Sequence, residues 1–249
     1  MIILNYLLGY KNLKIYQDTD MFHFSLDSIL LPNFVTLRKN DKKILDIGTG
    51  NAVIPLILTT RTKSDIVGVE VQQKSYELGV KSVDYNDLED QIKLINMDIK
   101  EYASQCESDQ FDVITCNPPF FKIGEESHLN DNYEKTIARH EIKLNIEDVI
   151  KISRKLLKNN GSLALVHRPE RLIEILSLMK KNNIEPKKIQ FVYPKHDREA
   201  NILLIEGTKN GKTGIKVLPP IYTHEENGEY TEQIQKYFIR GDENVSEKL

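Results

Sequence analysis

No tryptophan occurs in the chain, only two cysteines do, and no apolar run approaches the roughly 18 residues that a bilayer-spanning helix needs. Each shortage removes a class of protein. Cys106 and Cys116 are too few for a disulfide framework or a cysteine zinc site, so both read as free thiols and no metal is expected. The opening stretch MIILNYLLGYKNLK has no basic segment before its apolar residues and no small-residue cleavage site after them, so it does not read as a signal peptide. A cytoplasmic location without a membrane partner follows, with a monomer as the simplest assembly. The net charge of −3 leaves no cationic excess for indiscriminate nucleic-acid binding. The basic residues come instead in small local sets, such as Arg168 with Arg171 and Lys187 with Lys188.

What the sequence does contain is alternation. KKILDI (42–47), DIVGVE (65–70), QIKLIN (91–96) and FDVITC (111–116) read as buried strands, with helical spacing over 52–60 and 72–86 between the first three. A helix over 146–157, the strand SLALVH (162–167), a helix over 169–181 and strands at 188–194 and 201–208 complete the pattern. The short polar loop between the last two strands favours a hairpin. The expected fold is therefore α/β: a Rossmann-like, doubly wound, mostly parallel seven-stranded sheet with an antiparallel last strand. One domain over 42–240 is sufficient, preceded by a helical extension over 1–41 that packs on it and followed by a flexible tail, 241–249. The stretch 122–140 is longer than ordinary connections and fits a lid or a substrate contact.

A doubly wound sheet binds its ligand beyond the carboxyl ends of its strands, so the residues there carry the chemistry. The first strand runs into Asp46-Ile47-Gly48-Thr49-Gly50-Asn51-Ala52, where two glycines permit a tight turn and a close ligand approach. Val53 stands where a dinucleotide fingerprint has its last glycine, and Asp46 would repel a phosphate. A nicotinamide enzyme is thereby disfavoured. Glu70 ends the second strand, twenty residues after Gly50, at a spacing that lets a carboxylate accept ribose hydroxyls. Asp98 follows the third strand and could meet an adenine amino group or cap the next helix. Three acids along one edge suit a cationic nucleoside.

This arrangement resembles the class I S-adenosylmethionine-dependent methyltransferases, over residues 42–207. The resemblance implies that the glycine loop with Asp46, Gly48, Gly50 and Asn51 holds the methionine part, Glu70 the ribose and Asp98 the adenine. Ala52 departs from the commonest form of the turn, which has a third glycine.

The fourth strand ends in Asn117-Pro118-Pro119-Phe120. Proline fixes its φ and offers a carbonyl without an N–H, and an asparagine side chain adds a second oxygen acceptor. Two rigid acceptors can orient a planar, weakly nucleophilic amino group for in-line transfer, while Phe120 stacks on a base and Phe121 shapes the pocket. The tetrapeptide resembles the fourth motif of amino-methyltransferases. Phe22-His23-Phe24-Ser25-Leu26-Asp27, Ala138-Arg139-His140-Glu141, Val166-His167-Arg168-Pro169-Glu170-Arg171 and Arg198-Glu199-Ala200-Asn201 make the chain, over about residues 5–222, similar to bacterial tRNA (adenine-N6)-methyltransferases of the valine tRNA type. That resemblance implies an anticodon-loop adenine of tRNA as substrate, Phe24 and Ser25 over the cofactor, and Arg139, Arg168 and Arg171 as candidates for RNA contacts. A ribosomal RNA guanine-N2 or protein glutamine methyltransferase would use the same tetrapeptide, and a cofactor-binding or RNA-binding module without catalysis is the non-enzyme alternative.

Overall fold

The computed structural model describes residues 1–7, 10–19, 25–118 and 144–239; the stretch 122–140 and the tail 241–249 lie outside the described residues. In chain order the elements are β1 (Ile2–Leu7), β2 (Tyr10–Asp18), α1 (Leu26–Phe34), β3 (Lys43–Ile47), α2 (Val53–Thr59), β4 (Asp65–Glu70), α3 (Gln73–Tyr85) and β5 (Ile92–Asn96). They continue as α4 (Ile99–Gln105), β6 (Phe111–Cys116), α5 (Ile146–Leu156), β7 (Leu157–His167), α6 (Leu172–Lys181), β8 (Ile184–Tyr193) and β9 (Ile202–Lys209). The two-residue strands β10 (Lys216–Val217) and β11 (Ile221–Tyr222) and the helix α7 (Glu232–Ile239) close the order.

The main sheet runs β10-β8-β9-β7-β6-β3-β4-β5, and β11 also pairs with β8. Strands β3 to β7 are parallel, and β9 pairs antiparallel with both β7 and β8, as the short connection before it implies. The seven strands read from the sequence are all present, and β10 and β11 extend the sheet to nine. From β3 the chain winds outward through β4 and β5, then returns to β6 on the other side of β3. That reversal opens a crevice at the carboxyl ends of β3 and β6.

Strands covered on both faces must be apolar on both, and here alternate residues feed two separate cores. Ile44, Ile66, Val113, Ala164 and Val166 pack beneath α1, α2 and α3. Leu45, Ile47, Val67, Val69, Ile114, Cys116 and Leu165 pack beneath α4, α5 and α6. Cys106 and Cys116 are both free thiols.

The segment 1–41 is not helical throughout, contrary to expectation. Residues 2–7 and 10–18 pair as the antiparallel strands β1 and β2, and among the described residues of this segment only α1 is helical. The burial of β1 alternates residue by residue, the period of a strand, and the sequence there is rich in Ile, Leu and Tyr. Helix α3 completes the edge of β2: Ser82 Oγ accepts from the Tyr16 amide at 2.9 Å, while the Asn86 side chain accepts from the Lys14 amide at 3.0 Å and donates to its carbonyl at 2.7 Å. Side chains of a helix thus stand in for a third strand.

Candidate active site

The crevice begins at the turn between β3 and α2. Gly48, Gly50 and Ala52 have φ of +67°, +56° and +71°. Three left-handed residues at alternate positions reverse the chain within one tight turn. A Cβ on Gly48 or Gly50 would meet no atom of the described residues within 4 Å, so the glycines answer a conformational demand and leave open space above the turn. Ala52 occupies the same left-handed region, which explains why a glycine fits naturally at this position.

The turn is not an anion nest. The Gly48 and Thr49 amides both donate to the Val69 carbonyl, at 2.9 and 3.1 Å. The Gly50 amide donates to Glu70 Oε2 at 2.9 Å, and the other oxygen of Glu70 accepts from the Gln72 amide at 2.7 Å. Glu70 therefore clamps the glycine turn to the start of α3, beyond the ribose role read from its spacing. Its side chain is 5% exposed, and burial raises its pKa above the ordinary glutamate value.

Asp46 lies under the turn, 1% exposed. It stands opposite Thr115 in the β3–β6 register, and Thr115 Oγ1 donates to its Oδ1 at 2.6 Å. Burial pushes the Asp46 pKa up to about 7 against the opposing effect of that hydrogen bond. The Thr49 hydroxyl also acts to lower it, although neither Thr49 Oγ1 nor Asp46 Oδ2 meets hydrogen-bond geometry with a described residue. The acidic edge thus contains a carboxyl whose charged form is disfavoured by burial.

Asp98 caps α4, accepting from the Lys100 amide at 2.8 Å through Oδ1. Asn51 reaches the other way, its Nδ2 donating to the Tyr16 carbonyl at 3.0 Å and tying the glycine turn to the N-terminal hairpin.

Asn117 follows β6 directly across the crevice and is partly buried, while Pro118 is buried. The Asn117 Nδ2 donates to Ser28 Oγ at 3.1 Å, and its Oδ1 accepts no hydrogen bond among the described residues. Ser25 caps the start of α1 without a side-chain bond to the backbone and instead donates to Asp27 at 3.1 Å. Burial raises the pKa of Asp27, opposed by that bond and by the charge of Arg168. Arg168 also donates to the Asn201 carbonyl at 2.9 Å, which brings the end of β7, the turn before β9 and the start of α1 together beside the crevice. Arg171 is differently placed: its guanidinium forms a two-point pair with Glu174 at 2.5 and 2.8 Å and is 12% exposed. Next to them His167 is buried, its pKa lowered to about 4 chiefly by burial, with Arg171 acting in the same direction.

Asp46, Glu70, Asp98 and Asn117 thus share one edge of the sheet, with the glycine turn between them. Phe24, Pro119, Phe120, Phe121 and Arg139 lie outside the described residues. Sequence reasoning missed Thr115 and Ser28. Thr115 could have been found from alternation, two residues before Asn117 on the same face; Ser28 had no such signal, since its partner is 89 residues away. No group of three or more metal-ligating side chains occurs among the described residues, and no described helix is long and apolar enough to cross a membrane.

A Flavobacterium johnsoniae protein named tRNA1(Val) (adenine(37)-N6)-methyltransferase is 25% identical over 235 residues, covering 93% of this chain and 98% of its own. Among solved structures, an Agrobacterium tumefaciens protein described as a predicted O-methyltransferase superposes with a TM-score of 0.67 at 18% identity, over 86% of this chain and 96% of its own. Geranyl diphosphate C-methyltransferase from Streptomyces coelicolor A3(2), in complex with Mg2+, geranyl diphosphate and S-adenosyl-L-homocysteine, superposes with a TM-score of 0.55 at 12% identity, covering 74% and 78%. These two likenesses concern the fold. A family model described as the methyltransferase small domain matches residues 24–184, the span that holds α1, the glycine turn, the three acids and Asn117, and the chain belongs to that family.

Proposed function

We propose that this protein methylates the exocyclic N6 of an adenine in a tRNA anticodon loop, with S-adenosylmethionine as methyl donor. The carrying observation is Asn117: it sits at the switch point with Nδ2 engaged and Oδ1 left as an acceptor. The residues of the crevice suit the cofactor. The Gly50 amide is already taken by the chain's own carboxylate, which disfavours a phosphate, while open space over Gly48 and Gly50 and the acids Asp46 and Glu70 favour a cationic nucleoside. Glu70 would accept from the ribose and Asp98 from the adenine through its second oxygen. The cofactor, when bound, supplies a methyl group activated by its sulfonium.

The chain's own task is to hold the acceptor. An adenine amino group has its lone pair delocalised into the ring, so orientation matters more than a strong base. Asn117 Oδ1 and the Pro118 carbonyl would each accept one amino hydrogen, holding the nitrogen toward the methyl. The nitrogen that gains the methyl would release one of its N–H protons to solvent. Pro119, Phe120 and Phe121 would complete the pocket by fixing the loop and stacking on the base. An unpaired loop base costs little to splay out, which favours an anticodon-loop target, and the relative from Flavobacterium johnsoniae bears the name of an enzyme acting at adenine 37 of tRNA1(Val). A tRNA substrate would suit a cytoplasmic location.

The test is incubation of the purified protein with unmodified tRNA and methyl-labelled cofactor, followed by nucleoside mass spectrometry. N6-methyladenosine is expected. N2-methylguanosine, or label on a glutamine side chain instead, would overturn the assignment.

A further inference from the structure

We propose that Ser28 is a positioning residue for methyl transfer: its hydroxyl anchors one end of the Asn117 amide and restrains rotation of that side chain beside the incoming amine. This deepens the reading above and rests on it. A terminal amide presents an acceptor on one side and two donors on the other, and rotation by half a turn exchanges them. With the donors facing the pocket, Asn117 would oppose an adenine amino group instead of accepting from it. The 3.1 Å bond from Nδ2 to Ser28 Oγ anchors the donor end of the amide; a hydroxyl can also donate, so the bond restrains rotation of the side chain rather than choosing between its two ends.

The element carrying Ser28 is suited to such a role, because it is held from below at several points. Residues 28–34 of α1 are all buried, and Ser28 itself is 9% exposed. At the end of the helix Arg61 donates to the carbonyls of Pro32 and Val35. The Thr36 amide donates to Glu206 at 2.7 Å, and Lys188 donates to the Phe34 carbonyl at 2.7 Å. Asn33 reaches the Tyr10 hydroxyl at 2.9 Å. These bonds connect α1 and the residues just after it to the turn following α2 and to β2, β8 and β9, so Ser28 is referenced to the sheet that also carries Asn117. A catalytic acceptor is oriented only as well as the groups supporting it. On this view the segment before the sheet is part of the transfer site as well as a cover for it.

Single-turnover rates with saturating cofactor and tRNA, measured for Ser28→Ala, Asn117→Ala and the double variant, form a cycle that tests this. Ser28→Ala should slow transfer by about fivefold to tenfold, the worth of one ordinary hydrogen bond. Cofactor affinity by calorimetry should stay within about twofold, a result a general loss of fold would not give. In the Asn117→Ala background the same change should cost nothing more, since there is no amide left to orient, and Ser28→Thr should restore the rate by returning the hydroxyl. Ser28→Cys, nearly equal in volume and a weak acceptor, replaces Ser28→Ala if the latter does not fold. An unchanged rate in Ser28→Ala, or an equal loss with and without Asn117, overturns the proposal. Full activity in Asn117→Ala would instead overturn the assignment of Asn117 itself, a separate outcome of the same experiment.

Discussion

Replacing Glu70 by alanine should damage folding and cofactor binding separately, and the two effects can be measured apart. In the folded chain its carboxylate accepts from the Gly50 amide at 2.9 Å and from the Gln72 amide at 2.7 Å while remaining 5% exposed. Removing it leaves two backbone donors without their partner. Gly50 is partly exposed and Gln72 is exposed, so water entering the vacated space recovers part of the loss. A cost of about 1–1.5 kcal/mol for each bond gives about 2–3 kcal/mol of stability. For a chain of this size that is a fall in Tm of about 5–10 °C. Chemical and thermal denaturation without ligand read this term alone. Calorimetric titration with S-adenosylmethionine then reads the binding term, where loss of charged hydrogen bonds to the ribose should cost roughly 1.5–3 kcal/mol, about 10–150-fold in Kd. Glu70→Gln should not rescue fully, because its amide NH2 must point at one of the two backbone donors. An unchanged denaturation midpoint in Glu70→Ala would refute the clamp, and an unchanged Kd would refute the ribose contact.

Asn117→Ala should lower turnover by orders of magnitude while leaving cofactor affinity nearly intact; equal loss of both would make the residue structural. Asp46→Asn tests the buried carboxyl by pH. With its folded pKa raised from 3.8 to about 7, Asp46 stabilises the fold below pH 4 and loses that contribution as pH rises to 7. His167, lowered from 6.5 to about 4, acts oppositely, contributing stability above pH 6.5 that is lost as pH falls to 4. The two slopes oppose each other in the native protein and Asp46→Asn removes only the first, so the variant should become less stable relative to it on acidification, by up to about 1.4 kcal/mol per pH unit between pH 7 and 4. Parallel stability curves in denaturant would contradict the burial argument. Arg168→Ala should weaken tRNA binding and reduce the salt slope by about one, whereas Arg171→Ala should change it little, since Glu174 already neutralises that guanidinium. Filter binding across a salt series separates the two; equal slopes for both variants would remove the distinction.

How much of this was legible depends on the distance between the groups involved. Strands β3 to β9 follow from apolar runs of a few residues, and the turn at 48–52 follows from its own glycines. The reversal of β9 was readable because too few residues precede it for a crossover. By contrast, the N-terminal hairpin was read as helix. Its strands depend on Ser82 and Asn86 of α3, which complete the edge of β2 from some seventy residues away. Asp98 could be read as a cap or as a ligand contact, and the cap is the contact present within the chain itself.

The amino-acid order alone determined the alternation of strand and helix, the glycine turn and the acid after each of the first strands, because period, backbone freedom and charge are properties of neighbouring residues. Only the folded chain decided that Glu70 holds Gly50, that Asp46 is buried beneath Thr115 with its pKa raised, and that Ser28 bonds the amide of Asn117. Each of those depends on a partner or a degree of burial supplied by distant segments, and hydrogen bonding and desolvation act through space without regard to position along the chain.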